Sequence, residues 1–440
     1  MLQSLDFKQF NLIRDVNTGS PVLTDITTYV LRKKQFASET LNYSEALLKV
    51  IDEIISNAIE ALIAPKAPEY GKLGTELTVT YLDDYITIKN TGPGYPIYVE
   101  NGVYSVQKCL ATEYTSSHYD DSIASNSCST NGIGSKLTNI YSKFFEITTC
   151  CFKTKIKYHQ VFENNLSIIH PPKLEDYLGE PYTEIRFLLD FDKLCRIDKQ
   201  THSENWIKTN SGLVYALLER RTYEAAVYLS NFGYYRVTFN NQDCSVDFNK
   251  FVNMHPHDYI VTEIIELQEC EIKQFFKVAV LIHNPVQLNE TTFCPYGHDH
   301  VSILNAGVLP QCSNYVDAMM HKIEQYIIKQ PEYEEFGNPK STKINTKILR
   351  DHITFISIGS YNKQCFSYVS QSKTQATFDK KSLNYFKATF NFSDEFCKKI
   401  WKHLYAILPK IYKVKNRVKT KLKPKLYEPA TNASTKKGAE

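Results

Sequence analysis

SEALLKVIDEIISNAIEALIA, residues 44–64, is the stretch from which the rest of the chain can be read. Apolar residues at 47, 50, 51, 54, 58 and 62 recur with the 3.6-residue period of one helix face. Pro65 and Pro68 end the pattern. At about 100° per residue, Glu53 and Asn57 lie about 40° apart, and Glu60 lies about 20° to the other side of Glu53. The apolar stripe faces away from this group, so one helix face carries a carboxylate beside an amide. A carboxylate can polarise a water, and an amide oxygen can bind Mg²⁺, a hard cation that takes oxygen ligands. Taken alone, a solvated helix face with ordinary polar residues accounts for the same pattern.

Working outward, ELTVTYLDDYITIKN (76–90) alternates apolar and polar residues on both sides of Asp83-Asp84, as a β-hairpin does. It runs into Asn90-Thr91-Gly92-Pro93-Gly94, where glycines let the backbone turn sharply and a flat ligand come close. Asn90 could hydrogen-bond the edge of a purine there. A plain turn explains the segment equally well when it is taken alone. From about 105 to 131 the chain is polar and short of structure, the length of a functional lid or a disordered segment. It ends in Asn131-Gly132-Ile133-Gly134-Ser135-Lys136, which opens a helix. Backbone N–H groups at a helix start favour phosphate oxygens, and Lys136 adds a point charge. The segment is neither a Walker A loop nor a dinucleotide fingerprint.

The 440 residues allow about two or three folding units. Lys plus Arg number 51 and Asp plus Glu 48, so the net charge of +3 excludes a globally polybasic nucleic-acid coat protein. Any DNA contact must come from a local patch. No apolar run is long enough for a membrane helix, and the N-terminus lacks the features of a signal peptide. Eleven scattered cysteines without a Cys-x-x-Cys pair argue for a reducing compartment over a disulfide framework. Residues 1–43 look irregular. A second α/β unit begins near 266, with strand patterns in FFKVAVLIHN, VSILNAG and ITFISIG, a helix at 314–329 and a long helix at about 393–414. The basic, apolar-poor tail from 415 reads as a linker. His255, His257, Cys294, His298 and His300 form a loose ligand list, which polar loops explain without a metal.

In order and spacing, the helix with Glu53 and Asn57, the Asn90-x-Gly-x-Gly turn, the polar lid and the Gly-x-Gly-x-Lys helix start resemble the GHKL ATPase family. The lid narrows the resemblance. Thr115-Ser116-Ser117-His118-Tyr119-Asp120-Asp121 is similar to the Thr-Ser-Ser-Asn-Tyr-Asp-Asp of eukaryotic-type type IIA DNA topoisomerases. Thr130 through Ile140 resembles their Arg-Asn-Gly-Tyr-Gly-Ala-Lys-Leu-Cys-Asn-Ile, and Gln371-Ser372-Lys373 resembles their Gln-Thr-Lys loop.

The resemblance implies an α/β sandwich of the Bergerat fold, followed by a ribosomal-S5-like transducer domain. It implies a strap at 1–43, an ATPase domain at 44–265, a transducer at 266–414 and a linker toward a TOPRIM domain at 415–440. It implies ATP and Mg²⁺ as ligands, with Glu53 as general base and Asn57 on the metal. Asn90 would read adenine, and Ser116, Ser117 and His118 would contact ribose and α-phosphate. Asn131, Gly132, Ile133, Gly134, Ser135 and Lys136 would wrap the phosphates, and Gln371 and Lys373 would close over the γ-phosphate. Lys340, Lys343 and Lys347 stand where the family carries a Lys-rich loop that touches DNA. The partners implied are a second copy on ATP binding, double-stranded DNA, and a C-terminal cleavage core, with no membrane.

His118 replaces an Asn of the family pattern, Ala61 a second Asn, and Thr130 an Arg, and the strap signature is absent. This divergence from the cellular enzymes fits a viral member, working in a cytoplasmic replication site; a cellular member would be nuclear. Two other functions compete: a MutL-like or chaperone-like GHKL ATPase, and a DNA clamp with an inactive nucleotide pocket.

Overall fold

The structure, a computed structural model, describes residues 20–64, 74–111, 134–195, 203–267, 273–283, 300–331, 350, 352–369, 373 and 375–421, without the side chains of 203–209 and 409–421. Residues 24–43, expected to be irregular, form a hairpin of β1 (Thr24–Arg32) and β2 (Gln35–Tyr43), turned at Lys33 and Lys34 with positive φ. Its burial does not alternate: Tyr29, Val30 and Leu31 are buried in succession, so the period that marks a strand is missing from the sequence.

The decisive helix, α1, spans Glu45–Ile63. Ser44 caps it, its Oγ accepting from the Leu47 N–H at 3.2 Å and donating to the Leu194 carbonyl at 2.8 Å. The stripe of Leu47, Val50, Ile51, Ile55, Ile59 and Leu62 is wholly buried. Each such side chain contributes about 1.5–3 kcal/mol relative to an exposed one.

Among the described residues nine strands make the first sheet. β3 (Glu76–Leu82) and β4 (Tyr85–Asn90) form the expected hairpin. A short helix, α2 (Ser105–Ala111), starts the stretch expected to lack structure. Then come α3 (Gly134–Ile140), β5 (Ser142–Cys150), β6 (Ile156–Glu163), β7 (Lys173–Asp176), β8 (Tyr182–Leu189), the long helix α4 (Ser203–Leu229), β9 (Arg236–Phe239) and β10 (Gln242–Asp243). Their order is β7-β6-β5-β8-β4-β3-β9-β10, with Ile168–Ile169 also paired to β6. On one face the alternation puts Ile86, Ile88, Phe145, Ile147, Ile185 and Phe187 against the helices. The other face is solvated and carries pairs such as Lys89–Glu184 at 3.6 Å.

The second sheet is built from β11 (Tyr259–Leu267), β12 (Gln274–Ile282), β13 (His300–Leu304), β14 (Gly307–Val308) and β15 (Ile353–Ser360), in the order β11-β12-β15-β13-β14. The expected division at 265/266 falls inside β11, which pairs along its whole length with β12. Both faces of this sheet are covered, which is why its strands read as unbroken apolar runs. Phe276, Val278, Val280 and Ile282 pack toward α5 (Asn314–Ile327), α6 (Lys380–Thr389) and α7 (Asp394–Lys421). Ala279, Leu281, Ile356 and Ile358 face the other way, into a core continuous with that of the first sheet. Helix α7 runs to Lys421, past the residue where the linker was expected to begin. Its Lys- and Arg-rich end has no proline between 410 and 423, and these residues propagate a helix well. Among the described residues no helix is long and apolar enough to cross a membrane.

Candidate active site

Glu53 does not lie on a solvated face. It is buried, because α3 and a loop of the second unit cover its side of α1. Gly134, the first residue of α3, packs so closely that a Cβ there would collide with the Glu53 carboxylate. Thr138, one turn on, donates to the Val50 carbonyl at 3.0 Å and ties α3 to α1. Two lysines meet the carboxylate. Lys49, one turn earlier on α1 and itself buried, pairs with Glu53 Oε1. Lys373 arrives from the second unit, its Nζ 3.0 Å from the same oxygen. Burial alone would push the Glu53 carboxyl up, but the Lys373 and Lys49 charges outweigh it and hold the group at about 2. Burial and the neighbouring Lys373 push Lys49 down, while Glu53 pulls it back.

Lys373 occupies the turn between β16 (Phe366–Tyr368) and β17 (Ala376–Phe378), with a φ of 54°. A left-handed backbone is uncommon for a lysine. The ammonium lies 5.9 Å from the Tyr368 ring centre. Gln371, its expected companion, lies outside the described residues.

Beside Glu53, a cavity of about 210 Å³ brings together Asn57, Asn90, Gly94 and Ala61 with Tyr95 and Thr183. Residues 33 positions apart in sequence thus share one wall, because α1 lies across the end of β4. The buried Asn90 accepts the Gly92 N–H at 3.1 Å through Oδ1, an oxygen with a second lone pair to offer. Gly94 has a φ of 75°, and a Cβ on it would strike the Cys150 carbonyl. Thr183 is the Cα partner of Asn90 across the β8–β4 pairing and exchanges a 2.9 Å hydrogen bond with Thr149. Sequence reasoning missed Thr183, although the alternation Thr183, Ile185, Phe187 marks it as an inward-facing polar residue. It also missed Lys49, which the i, i+4 spacing to Glu53 would have revealed.

From the motif that runs from Asn131 to Lys136 the structure describes Gly134, Ser135 and Lys136. Asn57 Nδ2 approaches Ser135 Oγ at 3.5 Å, which joins the two motifs. Lys136 is buried within Coulombic reach of Cys109, where it counters the rise that burial gives that thiol. Ser116, Ser117, His118, Asn131, Gly132 and Ile133 lie outside the described residues, as do Lys340, Lys343 and Lys347. His255 belongs to no polar loop. It is buried among Tyr29, Phe36 and Phe251, and burial holds it neutral, with its pKa at about 3. Among the described residues no group of three His, Cys, Asp or Glu is arranged to hold a metal.

No protein-family model matches the chain. It is 24% identical over 352 residues, 79% of its length, to a probable DNA topoisomerase 2 of Dictyostelium discoideum, covering 21% of that protein. To the DNA topoisomerase 2 of Arabidopsis thaliana it is 25% identical over 395 residues, 88% of the chain and 24% of the relative. The solved ATPase and transducer domains of DNA topoisomerase II from Balamuthia mandrillaris superpose with a TM-score of 0.71 at 20% identity, over 96% of this chain and 98% of that one. The fold is that of the type II DNA topoisomerase ATPase and transducer region. The chain spans about a fifth to a quarter of the length of these topoisomerase relatives. Both relatives and the solved structure are type II topoisomerases, so a MutL-like or chaperone-like ATPase and an inactive clamp are not favoured.

Proposed function

We propose that the chain is the ATP-hydrolysing gate of a type IIA DNA topoisomerase, with an ATPase part first and a transducer that begins with β11. One observation carries this reading. A lysine of the second unit, Lys373, reaches a buried carboxylate of the first, Glu53, on the same helix as Asn57, which lines a cavity with Asn90. Such a lysine can serve a γ-phosphate and Glu53 in turn. While it sits on Glu53, the carboxylate is a weak base. A γ-phosphate that draws the ammonium away removes one of two cations and makes Glu53 more basic. Glu53 then takes a proton from water, the water oxygen bonds to the γ-phosphorus, the bond to the bridging oxygen of ADP breaks, and phosphate leaves.

Asn90 offers an acceptor for the amino group of adenine. Gly134, Ser135 and Lys136 stand where phosphates would lie, with Asn131, Gly132, Ile133 and Gln371 completing the enclosure and Ser116, Ser117 and His118 on the ribose side. Asn57 fits a magnesium ion held mainly by phosphates: its amide nitrogen turns to Ser135, which keeps its oxygen on the other side. Mg²⁺ when bound would neutralise phosphate charge. Loss of γ-phosphate would release Lys373 and with it the orientation of the transducer. Dimer closure on ATP, capture of double-stranded DNA with help from Lys340, Lys343 and Lys347, and cleavage by a TOPRIM-containing core are parts of the same proposal. So is a viral origin, which the replaced motif residues favour. The test is sedimentation and phosphate release on this chain. ATP should be hydrolysed, and a non-hydrolysable analogue should raise the dimer fraction. No hydrolysis with Mg²⁺ and ATP would overturn the reading.

A further inference from the structure

A second tie joins the two units behind the nucleotide pocket. Arg221 on α4 is 1% exposed, among the most deeply buried large side chains of the molecule. Its guanidinium reaches three partners on two different units. Nε donates to Asp52 Oδ1 at 2.5 Å, and Nη2 donates to Ser56 Oγ at 3.2 Å and to the Ala306 carbonyl at 2.7 Å. Asp52 and Ser56 precede Glu53 and Asn57 on α1, and Ser56 Oγ also donates to Asp52 at 3.2 Å. Ala306 sits in the turn between β13 and β14, where both Asn305 and Ala306 have positive φ. That turn is anchored to the second sheet: Asn305 Nδ2 donates to the Tyr361 carbonyl at 2.7 Å, and Tyr361 N–H donates to Asn305 Oδ1 at 2.8 Å.

A guanidinium presents five donors in a planar fork, so it can hold a carboxylate, a hydroxyl and a carbonyl together, as an ammonium on a flexible stem cannot. A buried guanidinium is costly to leave without partners, so the arrangement resists losing the three that Nε and Nη2 hold. A cavity of about 190 Å³ lies against Arg221, Lys49 and Asp52, which leaves room for a replacement side chain without overpacking. We propose that Arg221 is a positioning residue. It fixes the rotation of α1, which presents Glu53 and Asn57 to the pocket, and makes that rotation depend on the seating of the transducer turn at Ala306. The second unit then acts on the base-bearing helix at two points, through Lys373 in front and, by way of Arg221, through the Ala306 carbonyl behind. This rests on the proposed function only in naming Glu53 as the group whose position matters.

Arg221→Lys keeps a cation for Asp52 and loses the fork. Turnover should fall about tenfold or more, since small misplacement of a catalytic group is enough for that. Affinity for a non-hydrolysable ATP analogue should stay within about threefold. Amide exchange should rise together in 50–60 and 303–309 and stay unchanged elsewhere. Asp52→Asn, which preserves shape and removes the paired charge, should reproduce the pattern if Arg221→Lys fails to fold. Combined with Lys373→Ala, Arg221→Lys should cost less than the product of the two single losses, because both disturb one seating. Turnover within about twofold of wild type, or exchange rising evenly over the whole chain, would overturn the proposal. Should the unaltered chain not hydrolyse ATP, the proposed function falls by itself. The exchange measurement then still decides: joint opening of 50–60 and 303–309 supports the tie, and independent opening overturns it.

Discussion

The candidate site, made of the Glu53 ion pairs and the cavity next to them, has two walls built in opposite ways. One wall is local: Glu53, Asn57 and Lys49 come from a single helix, and Asn90 from the strand end that the helix crosses. The other wall is one residue, Lys373, held out by a three-residue hairpin pair with a left-handed backbone and delivered 320 positions after Glu53. The local wall owes its shape to helix periodicity and would survive small shifts of the second unit. The remote wall exists only while two sheets share a core. A ligand that engages both can therefore report domain seating as chemistry, which a pocket made from one unit cannot do.

The sharpest break comes from the local wall. Glu53→Gln keeps the shape and removes the proposed base, so turnover should fall about 10²–10⁴-fold with nucleotide binding nearly intact. Phosphate release at more than half the wild-type rate would remove Glu53 from the role.

On the remote wall, Lys373→Ala should lower turnover by on the order of 10²-fold, with less change in affinity, because the proposed adenine and metal contacts stay on the first unit. Single-turnover hydrolysis beside analogue binding separates the two. Normal turnover would make Lys373 a surface lysine in function.

Lys49→Met distinguishes the two cations. Glu53 is depressed to about 2 from an ordinary 4.5 by Lys373 and Lys49 acting against burial. A depressed carboxylate stabilises the fold above its ordinary value, and that contribution is lost as pH falls from about 4.5 toward 2. Without Lys49 the carboxyl must titrate higher, so the acid limb of the kcat/KM profile should move to higher pH. An unmoved limb would mean that Lys373 alone sets the ionisation.

The mildest change is Asn90→Ala. Losing one hydrogen bond of about 1–1.5 kcal/mol should weaken nucleotide binding about five- to tenfold and leave turnover at saturation nearly unchanged. Isothermal titration with an analogue reads the first, and saturating kinetics the second. A drop in saturated turnover instead would move Asn90 from binding to positioning.

What could be read in the sequence follows from how local the cause is. The helix at 45–63 and the hairpin at 76–90 carry their period in a short window, the strands of the second sheet carry an unbroken apolar run, and each folds as that local signal dictates. The hairpin at 24–43 could not be read, because three consecutive buried residues answer to a core assembled elsewhere. Motif order pointed to Lys373, but nothing in residues near it says that its ammonium meets Glu53. Arg221 gave no signal at all, since its partners stand 169, 165 and 85 positions away.

By itself, then, the sequence determined the strongly periodic elements and the identity of the polar groups along α1 and β4, because backbone sterics and hydrophobic periodicity act over a few residues. Only the tertiary structure decided that Glu53 is buried between two lysines and that a guanidinium holds its helix to the second sheet. Burial and ion pairing depend on which distant surfaces come together, and that is settled when the two sheets close on one core.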